Sequence, residues 1–233
     1  MLPIKDNVPT RRFPVVTVAI IVANFLVWIF YERAGSGTDF VHAVNQASFF
    51  PCEVDGTCRD TGFSWPVDAL TAMFMHAGWA HILGNMLFLW IFGNNVEDTF
   101  GRARFVVFYL LGGLAATAAQ AFVTLRFGTA QDAATPNLGA SGAIAAVLGA
   151  YFVLLPDGKV LTFIAPFFIF PLPALVFLGV YFVFQLVIGS YSFVQPESGG
   201  GVAYFAHLGG IAFGLLTVRL FAAGRPRPLR PTY

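Results

Sequence analysis

The chain has 233 residues, of which 57% are hydrophobic and only 11% are charged. Because a soluble domain carries about 25% charged residues, this composition excludes an ordinary soluble domain and indicates a membrane protein. The formal net charge is +1, and the one basic stretch is the short tail RPRPLRPTY. Nucleic acid is therefore not an expected partner.

The apolar residues form six blocks, each close to or above the roughly 20 residues that a helix needs to cross a bilayer. The blocks cover about 14–31, 69–92, 105–125, 139–155, 165–189 and 203–222. The fourth is slightly short, and the fifth is interrupted by three prolines. Helices satisfy their own backbone hydrogen bonds in lipid, and the alternating pattern of a barrel strand is missing. The sequence predicts an all-α membrane protein with six transmembrane helices.

The first block could also be a cleaved signal peptide, because Lys5, Arg11 and Arg12 precede it. Its apolar run FPVVTVAIIVANFLVWIFY exceeds a usual signal core, and no clear small-x-small cleavage site follows. A retained helix is the favoured interpretation. The predicted organisation is a tail over 1–13, a six-helix domain over 14–222 with an outer loop at about 32–68, and a tail over 223–233.

The basic residues predict the orientation, because cytoplasmic loops carry an excess of Lys and Arg. With a cytoplasmic N-terminus, six spans return the C-terminus to the same side. Three of the 13 basic residues then lie outside, namely Arg33, Arg59 and Arg126. The other ten lie inside: Lys5, Arg11, Arg12, Arg102, Arg104, Lys159, Arg219, Arg225, Arg227 and Arg230. The six-span form and this charge bias favour a bacterial inner membrane.

Both cysteines, Cys52 and Cys58, lie in the long outer loop. An oxidising compartment would allow them to form a disulfide. A metal site that includes Glu53 or Asp55 is the alternative, although two cysteines alone indicate one only weakly. Both interpretations remain open at this point, and no metal ion or cofactor is predicted.

Polar side chains inside a span are costly and tend to face a cavity or a partner. The second block contains His76, His81 and Asn85, and the last two share a helix face because they are four residues apart. Asn85 lies seven residues before the end of the block at Phe92. This places Asn85 deep in the membrane, which fits poorly with a site near the outer surface.

The fourth and sixth blocks each contribute one polar residue of catalytic type, Ser141 and His207. Each follows an outer loop by a few residues, so each lies roughly 5–10 Å below the outer end of its helix. A serine hydroxyl is a weak nucleophile that needs an adjacent base, and a neutral imidazole suits that role. Because no carboxylate lies within the spans, we expect a Ser–His dyad whose histidine is oriented by packing or by another hydrogen bond.

The surroundings of Ser141 suit an oxyanion, which needs hydrogen-bond donors. The Ser141 amide lies in the first helical turn, where N–H groups lack intrahelical partners. The side chains of His81 and Asn85 could add donors, and Gly139 and Gly142 leave room for substrate.

Gly210 and Gly214 form a GxxxG pattern after His207. Small residues of this kind let two helices approach closely, and helix four offers small residues in return. Such patterns are common in membrane helices, so this one alone indicates packing and no chemistry.

The segments HAGWAHILGN, GASG and AHLGGIAFG resemble the three signature motifs of the rhomboid intramembrane serine proteases. Their order, spacing and placement on helices two, four and six match, and the resemblance covers about Trp65 to Leu216. It implies a six-helix bundle with a water-filled cavity that opens outward. It also implies that Ser141 is the nucleophile and that His207 is its general base.

The resemblance implies roles for further residues. It implies an oxyanion hole formed by His81, Asn85 and the amides of Ala140 and Ser141. It implies structural support from His76, Gly139, Gly142, Gly210 and Gly214. The implied reaction is hydrolysis of a peptide bond in or near a transmembrane segment, so the expected partners are single-span membrane proteins and the lipid bilayer. The implied entry route for substrate is lateral, near helices two and five.

Two features depart from the family pattern. Trp65 is followed by Pro66, where many members have arginine. No aromatic residue stands three or four positions after Ser141, where many members carry one beneath the histidine.

Two other classes of function are possible. A non-proteolytic relative that binds membrane proteins usually lacks the serine or the histidine, and this chain has both. A small transporter or channel could use His76, His81 and His207 as proton or metal sites, but it would favour acidic residues in the spans. An active intramembrane serine protease is the favoured interpretation.

Overall fold

The computed structural model describes residues 1–58, 62–194 and 203–232, with side chains described outside 190–194. Apolar helices make up most of it. Four of them coincide closely with predicted blocks: α1 (Val15–Leu26, extended by a π-turn to Tyr31), α7 (Arg102–Phe127), α9 (Ser141–Leu154) and α11 (Tyr204–Ala222). The predicted outer position of Arg59 and the loop before helix six lie outside the described residues.

Only two described helices, Arg102–Phe127 and Tyr204–Ala222, are both long and apolar enough to cross a membrane. Three further apolar helices are shorter, namely Val15–Tyr31, Ser141–Leu154 and Ala174–Gly189. The fold is therefore mostly helical, as predicted. The structure does not establish the predicted number of six spans.

The second predicted block, 69–92, is divided in the structure. Its first part forms the short helix α4 (Trp65–Thr71) and a 3₁₀ turn (Ala72–Phe74). The chain is then extended at Gly78. A continuous helix follows, made of α5 (Trp79–Phe88), a π-turn (Leu89–Gly93) and α6 (Asn94–Phe100). The predicted bounds were wrong by about eight residues at the carboxyl end.

This shift removes the misfit in the depth of Asn85. The helix that carries Asn85 begins at Trp79 and ends at Phe100, so Asn85 lies in the second turn instead of near the far end. We call the end of the molecule at which α5, α9 and α11 begin the upper end, and the opposite end the lower end.

The segment after α1 is largely helical. It contains a 3₁₀ turn (Arg33–Gly35), α2 (Gly37–Ala47) and α3 (Pro51–Val54). A disulfide joins Cys52 to Cys58, with their Cα atoms 5.3 Å apart. Both sulfurs are used in this bond, so they are not available as thiolate metal ligands. A further short helix, α8 (Ala130–Ala133), follows α7.

A small antiparallel sheet at the lower end corrects the prediction of an all-α fold. Its strands are β1 (Leu2–Asp6), β2 (Lys159–Ile164) and β3 (Phe168–Pro173), in the order β1-β2-β3. The pairs Leu2↔Phe163 and Lys159↔Pro173 set the register. Proline lacks a backbone donor, so Pro171 and Pro173 fit the edge strand β3 and not a helix interior. The fifth helix, α10 (Ala174–Val194), starts only after them.

The two ends of the described chain meet at the lower end. The Thr232 amide donates to the Asn7 carbonyl over 3.1 Å, and Arg11 pairs with Asp98 at 3.2 Å. The buried Glu97 carboxylate caps the start of α1, because it accepts from the amides of Val16 and Thr17 at 3.0 and 2.7 Å. These contacts place residues 1–13 and the C-terminal tail on the same side of the bundle.

Helices α7, α9 and α11 pack together as the centre of the molecule. Every residue of α9 from Gly142 to Tyr151 is buried. A Cβ atom at Gly210 would overlap the Gly142 carbonyl oxygen, and one at Gly214 would overlap the Ala146 carbonyl oxygen. Helices α9 and α11 therefore touch through their backbones, which requires glycine at these two positions.

Candidate active site

Ser141 is the first residue of α9 and lies at its upper end. The helix has 14 residues, which gives a length of about 21 Å, shorter than the roughly 30 Å core of a bilayer. The chain before it is fixed by two contacts. Asn137 pairs with Phe49 in an isolated β-bridge, and the Gly139 amide donates to the Ala72 carbonyl over 2.8 Å. These two contacts fix the position at which this short helix begins.

The Ser141 hydroxyl lies next to the imidazole of His207, which is the fourth residue of α11. Ser141 Oγ and His207 Nε2 are 2.8 Å apart, and His207 is only 9% exposed. Gly210, about one turn after His207, closely contacts Gly142, the residue that follows Ser141, and this contact sets the separation of the two backbones. The two residues that the sequence singled out are thus brought within hydrogen-bond distance.

Sequence reasoning missed a third member of this group, Gln185 of α10. Its side-chain oxygen Oε1 lies 2.8 Å from His207 Nδ1, and Gln185 is 5% exposed. A signal was present, because Gln185 is the only amide or ionisable side chain other than Tyr181 between Ala174 and Gly189. A polar residue in an apolar span indicates a partner inside the bundle.

His81 of α5 faces the same region from the other side. Its Nδ1 accepts a hydrogen bond from the Ala77 amide over 3.3 Å, so a neutral ring carries its proton on Nε2. This Nε2 lies 2.8 Å from the point where a Cβ of Gly139 would stand, and Ser141 Oγ lies 3.6 Å from the same point. Gly139 has a φ of +125°, which favours glycine. The Nε2–H donor therefore faces the turn that precedes Ser141.

Asn85 lies one helical turn after His81 and is 9% exposed. Its amide nitrogen Nδ2 has no hydrogen-bond partner within the described part of the chain. A buried donor without a partner is costly, so this nitrogen is available to a group that enters the site. The structure gives no direct hydrogen bond between Asn85 and Ser141.

His76 lies in the bend before α5 and is fully buried. Its ring contacts the His81 ring edge-to-face, with centroids 5.1 Å apart. Its amide donates to the Glu32 carboxylate over 2.7 Å, and burial raises the pKa of Glu32 to about 7. His76 therefore connects the end of α1 to the His81 ring.

A small cavity opens beside Ser141 between α7, α9 and α11. Its polar wall contains Thr117, Gln120 and Asn137, and its remaining wall is formed mainly by small residues such as Gly113 and Ala206. Polar groups on a cavity wall let it hold water.

The backbone amide of Ala140 lies at the start of α9, where N–H groups lack intrahelical partners. Ala140 itself is fully buried. No group of three His, Cys, Asp or Glu side chains suited to a metal ion occurs among the described residues.

The fold and this group of residues define a helical bundle with a partly buried Ser–His pair at the start of two packed helices. The Rhomboid domain family matches residues 65–224, which is more than half of the chain. The chain belongs to the rhomboid family, and the resemblance seen in the three motifs is confirmed.

Curated relatives include presenilin-associated rhomboid-like protein A, mitochondrial, of Danio rerio, which is 35% identical over 146 residues. The mouse presenilin-associated rhomboid-like protein, mitochondrial, is 31% identical over 152 residues, and Rhomboid protein 1, mitochondrial, of Saccharomyces cerevisiae is 30% identical over 152. The alignments cover 61%, 63% and 64% of this chain, but only 34%, 36% and 40% of these relatives. The chain matches little more than a third of their length.

The comparison corrects the expected location. These relatives are mitochondrial by name, so the prediction of a bacterial inner membrane, which depended on the number of spans and the charge bias, is wrong. Charge bias reports which side of a membrane a loop faces and does not identify the membrane.

Proposed function

We propose that this chain is an intramembrane serine endopeptidase that hydrolyses peptide bonds in or near transmembrane segments of other membrane proteins. The observation that carries the proposal is the 2.8 Å contact between Ser141 Oγ and His207 Nε2. A serine that hydrogen-bonds to a buried neutral imidazole is the arrangement that nucleophilic catalysis requires. Membership of the rhomboid family supports the same reaction.

In the proposed first step, Ser141 Oγ attacks the scissile carbonyl carbon while its proton moves to His207 Nε2. The carbonyl oxygen becomes an oxyanion. The C–N bond then breaks, and the leaving amine takes the proton from His207. Water next attacks the acyl-enzyme ester with His207 again as base, which releases the carboxylic acid and restores the Ser141 hydroxyl. No cofactor is needed.

Four donors are proposed for the oxyanion: the amides of Ala140 and Ser141 and the side chains of His81 and Asn85. The His81 donor is supported by the hydrogen bond from Ala77 to the other ring nitrogen. The Asn85 donor is supported by its unpartnered Nδ2. Donors fixed in a buried site stabilise developing charge more strongly than water does.

The attacking water is proposed to come from the cavity beside Ser141. The side chains of Thr117 and Gln120 line that cavity, and they can hold water close to the serine. An otherwise apolar bundle needs such a polar route, because water is scarce in the hydrocarbon layer.

We propose that the chain crosses the membrane six times, with both ends of the described chain on one side. The contacts of Arg11 with Asp98 and of Thr232 with Asn7 support the shared side. The six proposed spans are the two longer helices, α7 and α11, the three shorter helices α1, α9 and α10, and the continuous helix from Trp79 to Phe100. The names of the relatives favour a mitochondrial membrane, and single-span membrane proteins are the proposed substrates.

The test is cleavage of a single-span reporter, with a small residue near the outer end of its helix, by the purified protein in lipid vesicles. Cleavage should be lost in Ser141→Ala and His207→Ala and retained in Thr217→Ala. Thr217 is the matched control, because its hydroxyl donates to the Phe213 carbonyl of its own helix α11. Equal cleavage by Ser141→Ala and the parent would refute the proposal. A folded parent that binds the reporter without cleaving it would favour a non-proteolytic relative.

A further inference from the structure

The contact between α10 and the Ser–His pair goes through one polar side chain. Gln185 Oε1 lies 2.8 Å from His207 Nδ1, and the opposite ring nitrogen faces Ser141 Oγ at the same distance. The imidazole is therefore held at both nitrogens, by α10 on one side and by α9 on the other.

The chemistry of the amide selects one tautomer of the ring. An amide oxygen can only accept a hydrogen bond, so His207 Nδ1 must carry the proton. The lone pair of a neutral ring is then on Nε2, which faces the Ser141 hydroxyl. A ring with its proton on Nε2 could not accept the serine proton, so the wrong tautomer is inactive as a base.

A neutral amide also suits the surroundings. Gln185 and His207 are both buried, and an ionised carboxylate at the same place would lose its hydration. Glutamine orients the ring without bringing a charge into the bundle.

The position of Gln185 has a second consequence. Helix α10 packs into the core at its lower end through Ala174, Phe177 and Leu178, but much of the rest of its surface is exposed. Many of its side chains are exposed, including Val176, Val183, Phe184 and Val187. On the face that meets α11, Gly189 lies one turn after Gln185, and a Cβ there would stand 3.2 Å from Tyr204 Cβ. The hydrogen bond between Gln185 and His207 forms only when this face of α10 packs against α11.

We propose that Gln185 is a positioning residue that fixes the reactive tautomer of His207, and that its place on α10 makes the Ser–His pair competent only while α10 is seated against α11. The inference rests on the proposed function for its kinetic consequences. Its structural content, the tautomer, can be measured without any activity.

The kinetic test compares Gln185→Leu with Gln185→Glu in the vesicle cleavage assay. Leucine fills the space without an acceptor, so kcat should fall roughly 10- to 100-fold with little change in KM. Glutamate restores an acceptor and should recover most of kcat. Its charge favours the protonated ring, so the acid limb of the pH–rate profile should move up by about one pH unit. His81, the titratable neighbour that acts on His207, is unchanged in each variant.

The matched control is Val187→Ala, an exposed position on the same helix, which should leave kcat and KM unchanged. A fall in kcat of Val187→Ala as large as that of Gln185→Leu would mean that any change in α10 disturbs the enzyme, and the positioning role would be rejected. The same conclusion follows if Gln185→Leu retains the parental kcat, or if Gln185→Glu gives no recovery and no shift of the acid limb.

The spectroscopic test uses ¹⁵N-labelled histidine. The chain has four histidines, and His207→Ala identifies the signals of interest. Nitrogen shifts should show His207 protonated on Nδ1 in the parent and exchanging between tautomers in Gln185→Leu. A parent ring protonated on Nε2, or an unchanged Nδ1 proton in Gln185→Leu, overturns the inference.

The seating of α10 is tested with Gly189→Leu, which should push the two helices apart. Its kcat should fall as in Gln185→Leu, and the double variant should fall no further, because both changes remove the same contact. Additive losses would contradict the coupling. If the folded parent does not cleave the reporter, the proposed function fails, while the tautomer measurement still decides the positioning role.

Discussion

The interface between α9 and α11 differs sharply from the surface of α10. The first is a backbone contact, in which Gly210 and Gly214 face carbonyl oxygens of α9. On α10, by contrast, a Cβ added at Gly179 would meet nothing within 4 Å, and much of the helix is exposed. Ser141 and His207, the proposed nucleophile and base, thus lie on the tightly packed pair of helices, whereas Gln185, the proposed positioning residue, lies on the more exposed helix α10.

This contrast suggests that the two regions have different roles. Close packing fixes the Ser141–His207 distance, because two backbones in contact cannot be displaced without breaking many contacts at once. Helix α10 buries Ala174, Phe177 and Leu178 at its lower end, whereas its part near Gln185 exposes Val183, Phe184 and Val187, so this part can move at smaller cost. The distance between Ser141 and His207 is therefore fixed by the packing of α9 against α11. The tautomer of His207, by contrast, depends on the position of α10.

The largest effect is expected from adding one carbon to the tight interface. Gly214→Ala should destabilise the protein by about 2–3 kcal/mol, because the new Cβ would overlap the Ala146 carbonyl oxygen and overpacking is costly. In thermal unfolding in detergent this corresponds to a fall in Tm of roughly 5–10 °C. The control is Gly179→Ala, which meets open space and should raise Tm slightly. A similar fall in Tm for Gly214→Ala and Gly179→Ala would show that the two regions do not differ in how tightly they are packed.

The next effect concerns activity more than stability. Gly139→Ala adds a Cβ 2.8 Å from His81 Nε2 at a φ of +125°, so it should displace both the His81 ring and the turn before Ser141. Displacements of about 1 Å near reacting groups can cost 10²-fold, and we expect a loss of that size in kcat/KM. Gly84→Ala, on α5 with nothing within 4 Å, should keep its activity. Full activity in Gly139→Ala would argue against an oxyanion site at this turn.

The smallest effect tests the lower end, away from both regions. Asp6 accepts hydrogen bonds from Asn95 and Tyr151, each at 2.7 Å, and burial raises the pKa of Asp6 to about 6. A raised carboxyl pKa means that the folded state binds the proton more tightly. The protonated Asp6 carboxyl therefore contributes fully to the stability of the folded state below about pH 4, and this contribution is lost as the pH rises through 6.

Asp6→Asn removes this titration and keeps an acceptor. Its Tm relative to the parent should therefore increase between pH 4 and pH 7, while catalysis at a fixed pH stays the same. A Tm difference that is constant across this range would show that Asp6 does not titrate there.

Sequence patterns predicted the parts that depend on local chemistry. Apolar length predicted α1, α7, α9 and α11, and motif spacing singled out Ser141 and His207, which the fold brings to hydrogen-bond distance. The sulfurs of Cys52 and Cys58, left open between a disulfide and a metal site, are bonded to each other.

The features that sequence patterns missed depend on distant partners. Residues 168–173 belong to an apolar block that was predicted to span the membrane, yet they form a strand because β2, which is itself paired with β1, provides the pairing. The second helix starts at Trp79 because the chain bends at residues 75–78, and apolarity alone does not show that bend. Gln185 was visible as a polar residue in an apolar block. Its partner could be identified only once α10 and α11 were placed together.

The most direct test of the central claim is labelling by a fluorophosphonate probe, followed by peptide mapping of the modified residue. Only a serine activated by a neighbouring base should react at a useful rate. We expect one labelled residue, Ser141, with labelling lost in Ser141→Ala and strongly slowed in His207→Ala. Labelling at another residue, or equal labelling of the folded Ser141→Ala protein, would contradict the assignment of Ser141 as the nucleophile.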